Sequence, residues 1–310
     1  MVNNMKIAVF SDIHGNYQAL ESIIKDIKGK HIDKTIFLGD AISLGPDSNK
    51  CLDLLFKEKV TFILGNHELY STEGVSIDPD SNIDKKNHNL WVTTTLSKEN
   101  LKKLKEQKLI YELSINNKKY TFIHFLLDEK SKYPFKHLSI FRDKTYKKDM
   151  NKIDSNYVFY GHEHTGRIDF INGKSFYGIG SSGCRKDDTT YYYIIDTKKD
   201  KVKKIPLKYN RRKFLQSIDS IEFPNKEHIK EVFFGIEKGD HEWSLLIIYF
   251  NSYITCRITA TWMNIIEFYV CLTSMFHTFF NTDSTPKKQT STVTTFSAST
   301  FTSNSNITKF

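Results

Sequence analysis

The sequence predicts an α/β (α+β) fold: a mixed, largely two-sheet core with helices outside. Three observations predict it. Up to Leu64, short apolar β-type runs alternate with helical periods. From Ile110 onward the pattern changes to paired strands joined by tight polar turns. Several of the apolar runs end in Asp, Asn or His, so polar groups gather at one sheet edge.

Residues 7–10 (Ile-Ala-Val-Phe) read as a strand buried on both faces. Residues 16–28 carry Leu20, Ile23, Ile24 and Ile27 at helical spacing. Residues 35–38 form a second strand, 48–57 a helix through Cys51, Leu54, Leu55 and Phe56, and 60–64 a third strand. Strand–helix repetition of this kind requires right-handed crossovers and a parallel sheet. The polar stretch 71–89 receives no element, and 98–108 reads as a helix. Strands 110–115 and 119–124 flank the turn Asn116-Asn117-Lys118. Residues 157–160 are another strand. Strands 167–171 and 174–178 flank Asn172-Gly173, a type I′ signal. Strands 190–195 and 201–206 and a helix at 227–236 complete a domain spanning 1–240.

Beyond about Trp243 the composition breaks. The apolar runs 245–250 and 265–272 fall short of the ~20 apolar residues of a membrane span. Three readings of the 241–280 appendage stay open: a membrane-associated segment through 244–280, packing onto the sheets, or sequence foreign to the fold, which is favoured slightly. Residues 281–310 are Ser/Thr-rich and expected to be disordered.

The 310 residues are 39% hydrophobic and 26% charged, an ordinary globular balance. The net charge of +9 suits an anionic substrate. No Arg-rich block or aromatic-basic repeat accompanies the lysines, which read as solvated helix faces, so no specific nucleic-acid partner is predicted. Cys51, Cys184, Cys256 and Cys271 form no CxxC pair. With no secretory leader at the start, a cytoplasmic location is expected. Oligomeric state is not legible.

Two divalent cations need oxygen and imidazole ligands, with one carboxylate bridging them. Asp12 and His14 stand two apart past the first strand, and Asp40 follows Gly39 in the bridging position. Asn66 follows Gly65 and offers a neutral carbonyl oxygen. His124 ends a later strand, and His162 and His164 project to one side of an extended segment. A water between two such cations is acidified and can attack phosphorus in line. His67 is left free to protonate the departing oxygen or to stabilise phosphoryl charge. Glu68 carries little weight as a group orienting it. His31, His88 and His137 lack such context and read as surface or satisfied core residues. Tyr191, Tyr192, Tyr193, Phe233 and Phe234 read as packing residues.

On the fragments Ser11-Asp12-Ile13-His14-Gly15-Asn16, Leu38-Gly39-Asp40, Gly65-Asn66-His67-Glu68 and Gly161-His162-Glu163-His164-Thr165-Gly166, the chain resembles calcineurin-like metallophosphoesterases over about 6–236. Gly45-Pro46-Asp47 is similar to a bacterial and archaeal branch of small single-domain phosphoesterases. The resemblance implies a four-layer β-sandwich of two mixed sheets flanked by helices. It implies one ion on Asp12, His14, Asp40 and His164, another on Asp40, Asn66, His124 and His162, and His67 as the catalytic histidine. Manganese leads the implied ions, with iron, zinc, nickel or cobalt as alternatives. Ser43 and Leu44 stand where phosphoprotein phosphatases of the superfamily carry Asp and Arg, which disfavours that activity. Phe125 stands where the family usually has glycine. The loop 180–187 resembles a segment near the site, with Arg185 or Lys186 expected to touch substrate. The expected function is hydrolysis of a small phosphomonoester or phosphodiester by a metal-bridging hydroxide. The alternatives are a non-catalytic scaffold for protein partners and a nuclease using the same site.

Overall fold

Ile7, Ala8, Val9 and Phe10 are wholly buried, as a fully apolar strand demands, and the chain is built outward from them. The computed structural model describes residues 4–236 apart from 79–80, 129 and 143, all within the unit Met1–Glu242. The expectations for 241–280 and 281–310 lie outside the described residues.

Strands β1 (Lys6–Phe10), β2 (Lys34–Phe37) and β3 (Thr61–Phe62) run parallel, linked by helices α1 (Tyr17–Lys28) and α2 (Ser48–Lys57). Helices α3 (Asn66–Thr72), α4 (Ile83–Thr95) and α5 (Lys98–Lys105) follow. The second sheet then begins with β4 (Ile110–Ile115) and β5 (Lys118–Ile123). After α6 (Ser139–Arg142) and α7 (Tyr146–Lys152) come β6 (Tyr157–Tyr160), β7 (Arg167–Ile171) and β8 (Lys174–Gly178). Strands β9 (Thr189–Asp196) and β10 (Lys201–Lys208) return to the first sheet, and α8 (Arg211–Asp219) and α9 (Lys226–Phe234) complete the described chain. The sheet orders are β10-β9-β1-β2-β3 and β4-β5-β6-β8-β7.

Period-two alternation decides which side chain meets which layer. Ile7 and Val9 of β1 share a cluster with Ile36, Leu38, Tyr120, Phe122 and Phe159, which joins the facing sheets. Ala8 and Phe10 instead join Leu20 and Ile23 of α1. Val158 and Tyr160 of β6 lie in that same cluster with Tyr146 and Met150 of α7. Two mixed sheets flanked by helices is therefore the observed architecture, as the sequence predicts. Among the described residues, no helix is long and apolar enough to cross a membrane.

The differences have physical causes. The run 60–64 is a strand only at Thr61–Phe62: Ile63 still donates its N–H to Phe37 O of β2 at 3.0 Å, but its bridge partner is Lys108, and Leu64 N–H turns to Lys108 O at 2.9 Å. The stretch 71–89 is not element-free. It holds most of α4, whose buried residues His88, Asn89 and Val92 are largely polar and so give no apolar period. Helix α8 escaped prediction because only Phe214 and Ile218 are buried on it. The first hairpin closes on two turn residues rather than three: Ile115 pairs with Lys118, and Asn116 and Asn117 both have positive φ, 52° and 60°. Asn172-Gly173 makes the second such turn, with φ of 49° and 77°.

Glu68 ties the strand ends together. Its buried carboxylate accepts the N–H groups of Asp40 and Ala41 at 2.8 Å each, and of Gly65 at 2.8 Å. The loops after β2 and β3 are thereby held side by side through one side chain. Gly65 is required for this approach: a Cβ there would lie 2.2 Å from Asp40 Oδ1 and 2.6 Å from its backbone nitrogen. Glu68→Ala leaves three buried N–H groups without an acceptor. It should lower unfolding stability by about 3 kcal/mol, read from urea denaturation. A midpoint unchanged from wild type would remove Glu68 from this role.

Candidate metal centre

The parallel strands β1, β2 and β3 deliver their C-terminal ends to one edge, and β5 and β6 deliver theirs beside it. The residues just past those ends turn sharply. Asp12, His14, Asp40 and His162 all lie in the left-handed region, with φ of 53°, 49°, 61° and 66°. Asp, Asn and His tolerate that conformation best among residues with a Cβ, and such strain concentrates at functional sites. Backbone bonds hold the turns together: Asp12 N–H donates to Gly39 O and His14 N–H to Asp40 O, each at 2.9 Å. The His162 N–H donates to both Asp12 carboxylate oxygens at 3.1 Å.

The side chains converge. His14 Nε2 lies 3.1 Å from His164 Nε2, 3.9 Å from Asp12 Oδ1 and 3.7 Å from Asp40 Oδ2. His164 Nε2 is 3.6 Å from Asp12 Oδ1. On the other side, His124 Nε2 lies 3.4 Å from Asp40 Oδ2, 3.0 Å from Asn66 Oδ1 and 3.2 Å from His162 Nδ1. Asp40 stands between the two groups. Asp12, His14, Asp40, Asn66, His124, His162 and His164 are thus brought together, and the structure sorts them around Asp40 into two neighbouring clusters.

Two carbonyls determine what these rings can do. His14 Nδ1 faces Ile42 O at 3.1 Å, and His124 Nδ1 faces Leu38 O at 2.7 Å. A carbonyl only accepts, so each Nδ1 carries the proton. In the neutral ring, Nε2 is then a lone pair aimed into the cluster. There it meets carboxylate and amide oxygens and further imidazole nitrogens. Such a gathering of acceptors calls for a cation, and carboxylate, amide and imidazole donors suit borderline divalent ions. The electrostatics agree. Burial opposes charge on His124, but the charge and hydrogen bond of Asp40, the charge of Asp12 and the Leu38 carbonyl together outweigh it and raise the imidazole to about 9. Burial works upward on Asp40 too, yet His124 and His67 hold it well below the usual carboxylate range. Burial pushes Asp12 up to about 7 and drives His14 and His162 well below the ordinary imidazole value. It lowers His164 to about 4.

His67 stands at the rim of the cluster. Its N–H donates to Asp40 Oδ1 at 3.0 Å, and its Nδ1 lies 2.9 Å from Asn89 Oδ1. Asn89 in turn accepts from Ser43 Oγ at 3.1 Å and donates to Lys85 O at 2.9 Å. Asn89 is the residue that sequence reasoning missed. It sits on α4, inside the stretch that showed no apolar period. Ser43, noted only as a departure, is the residue that anchors it. Glu68 does not orient His67: its carboxylate is occupied by the backbone of the neighbouring loops.

The other assigned residues fall as follows. Arg185 Nε donates to Thr189 O at 3.0 Å and its guanidinium stacks 5.3 Å from the Tyr191 ring centre, so it is engaged with its own loop. The Lys186 stem runs beside Gly235, where a Cβ would meet its Cγ at 2.9 Å. Among the described residues, neither has a hydrogen bond or ion pair to the cluster. Cys184 of the same loop does approach: Sγ and the ligating nitrogens of His14 and His164 lie within 4.8 Å of one another. Phe125 leaves His124 in place and packs its ring 4.7 Å from the His162 ring. His88 is a satisfied core histidine: Nε2 accepts from Leu44 N–H at 3.0 Å and Nδ1 faces Pro224 O at 3.1 Å. His31 and His137 are exposed. Tyr191 and Tyr192 are buried in the sheet and Phe234 in an apolar cluster. Phe233 sets its ring 5.8 Å from that of His164.

The chain is 30% identical over 238 residues to an uncharacterized protein of Methanocaldococcus jannaschii, a match covering 70% of this chain and 93% of that protein. Its fold resembles a metallophosphoesterase from Sphaerobacter thermophilus, at TM-score 0.57 and 20% identity, covering 76% of this chain and all (100%) of that one. It also resembles a hypothetical protein from Pyrococcus horikoshii, at TM-score 0.61 and 18% identity, covering 75% of this chain and 99% of that one. The profile described as the calcineurin-like phosphoesterase superfamily domain matches residues 5–200, a span that contains every residue of the two clusters. The chain belongs to the calcineurin-like phosphoesterase superfamily.

Proposed function

We propose that this protein is a binuclear metal-dependent hydrolase acting on a small phosphomonoester or phosphodiester. One observation carries the reading: the lone pairs of two carbonyl-pinned imidazoles, His14 and His124, converge from opposite sides on Asp40. Asp12, His14, Asp40 and His164 would hold one ion. Asp40, Asn66, His124 and His162 would hold the other. Two divalent ions held there supply Lewis-acid polarisation of the phosphoryl oxygens and lower the pKa of water for attack on phosphorus. Manganese heads the ions expected from the resemblance.

The chain's own residues do the rest. His67 donates its N–H to Asp40 Oδ1, which fixes the rotation of the bridging carboxylate. Asn89 holds the Nδ1 edge of the His67 ring and leaves Nε2 to carry a proton to the departing oxygen. Burial keeps the free imidazole at about 4. An arriving anionic ester shifts the ring toward its protonated form. An amide at position 89 orients the ring without adding charge, in contrast to a carboxylate. The scaffold alternative requires a damaged ligand set, and here the donors converge. The nuclease alternative requires an extended basic groove or a capping domain, and the sequence carries no Arg-rich block or aromatic-basic repeat to support one.

The test uses the full-length chain, with metal analysis and assays on p-nitrophenyl phosphate and bis(p-nitrophenyl) phosphate. Turnover of at least one ester, abolished by chelation and restored by Mn²⁺, is expected. Normal folding and full metal content without turnover of either would overturn the enzyme reading. Asp40→Asn should lower the content of both ions together with activity, because one carboxylate serves both. Loss of a single ion would show that Asp40 is not shared. His67→Ala should retain the metals and slow turnover by roughly 10²–10⁴-fold. Asn89→Ala should slow it by roughly 10–100-fold, again with metals retained. Metal loss in either variant would make the rim residue a ligand rather than an acid or its support.

A further inference from the structure

The loop after β8 reaches the metal cluster with a residue type that the ligand set above does not use. Ser181 Oγ donates to Asp12 O at 2.7 Å, and the Ser182 and Gly183 N–H groups donate to Ser11 O and Asp12 O at 3.0 Å. Asn16 Nδ2 donates to Gly183 O at 2.9 Å. Gly183 is seated so closely that a Cβ would lie 1.9 Å from Ile13 O. The next residue is Cys184. Its N–H donates to Ser181 Oγ at 2.8 Å, so the loop that carries the thiol is bound to the turn that carries Asp12 and His14. The thiol is free of any disulfide and half-buried. Its sulfur and the ligating nitrogens of His14 and His164 lie within 4.8 Å of one another. That is about the diameter of a zinc coordination sphere, with Zn–S at ~2.3 Å and Zn–N at ~2.0–2.1 Å.

We propose that Cys184 Sγ is a further ligand of the ion held by His14 and His164, and that it biases this position toward a thiophilic ion such as zinc over manganese. The proposal rests on the metal-centre reading. Coordination converts the thiol to a thiolate and releases its proton to solvent. The thiolate adds a third negative donor to Asp12 and Asp40. Soft sulfur discriminates against the hard manganese ion, whereas imidazole and carboxylate alone do so less. The position on the far side of Asp40, with Asn66, His124 and His162, has no sulfur and keeps the harder preference. The two positions therefore differ in softness, and the centre is predicted to be heterometallic when both ions are available.

Cobalt(II) reports both ideas at once. Full-length protein under reducing, oxygen-free conditions is titrated with Co²⁺ and its absorption recorded. Visible d–d bands stronger than and shifted from those of aqueous Co²⁺ mark the ion in a protein site of nitrogen and oxygen donors. An intense near-ultraviolet sulfur-to-cobalt charge-transfer band marks a thiolate on the ion. Wild type should show both, and Cys184→Ser should keep the visible bands while losing the near-ultraviolet one. Visible bands without the charge-transfer band in wild type overturn the Cys184 assignment, whether or not the variant folds. So does a charge-transfer band that survives in folded Cys184→Ser. Absence of these stronger, shifted visible bands would overturn the metal-centre reading itself. In a competition at equal Zn²⁺ and Mn²⁺, the variant should shift toward manganese, and an unchanged ratio counts against the bias.

Discussion

Two buried imidazoles donate their Nδ1–H groups to carbonyls of the loop after β2, His14 to Ile42 O and His124 to Leu38 O. This pinning settles the tautomer and the direction of each ring. It turns two Nε2 lone pairs toward Asp40, into a pocket already holding carboxylate and amide oxygens. Everything else in the site answers that arrangement. Without a cation the acceptors crowd one another, and the carboxylates of Asp40 and Asp12 favour positive charge among them. Divalent ions satisfy the same need with more charge and better geometry.

The backbone is shaped to permit it. Four of the converging residues lie at positive φ, which costs energy that packing elsewhere must offset. The buried run Ile7–Phe10 of β1 and the apolar cluster between the sheets provide that rigidity. Glu68 transmits it: one carboxylate gathers N–H groups from the loops after β2 and β3, so Asp40 and Asn66 keep a common frame. The Ser43–Asn89–His67 chain extends the frame to the rim, from α4 across to His67. A site built this way is preorganised by the fold and needs few residues on flexible segments.

The sheets and the converging residues were largely legible in the sequence. Short fully apolar runs in strand–helix alternation read as buried strands, and Asp, Asn and His directly after several of them point to one sheet edge. What stayed hidden was polar. Helix α4 buries His88 and Asn89, so the apolar periodicity that reveals a helix is missing from it. Asn89 could therefore not be placed beside His67 from sequence, although Ser43 marked the spot where a partner was needed. The role of Glu68 was also invisible, because its partners are backbone groups of residues far along the chain. The 180–187 loop was rightly singled out, but its long cations drew the eye. Arg185 turns to Thr189 and Tyr191, while the small Cys184 faces His14 and His164.

The proposed function requires that two ions share Asp40. Anomalous scattering from crystals of the metal-loaded protein, with data on either side of each metal edge, tests it directly. Two peaks ~3.5–4 Å apart are predicted, one beside His14 and His164, the other beside His124 and His162, with the Asp40 carboxylate between them. A single peak, or two peaks not both in contact with Asp40, would contradict the account.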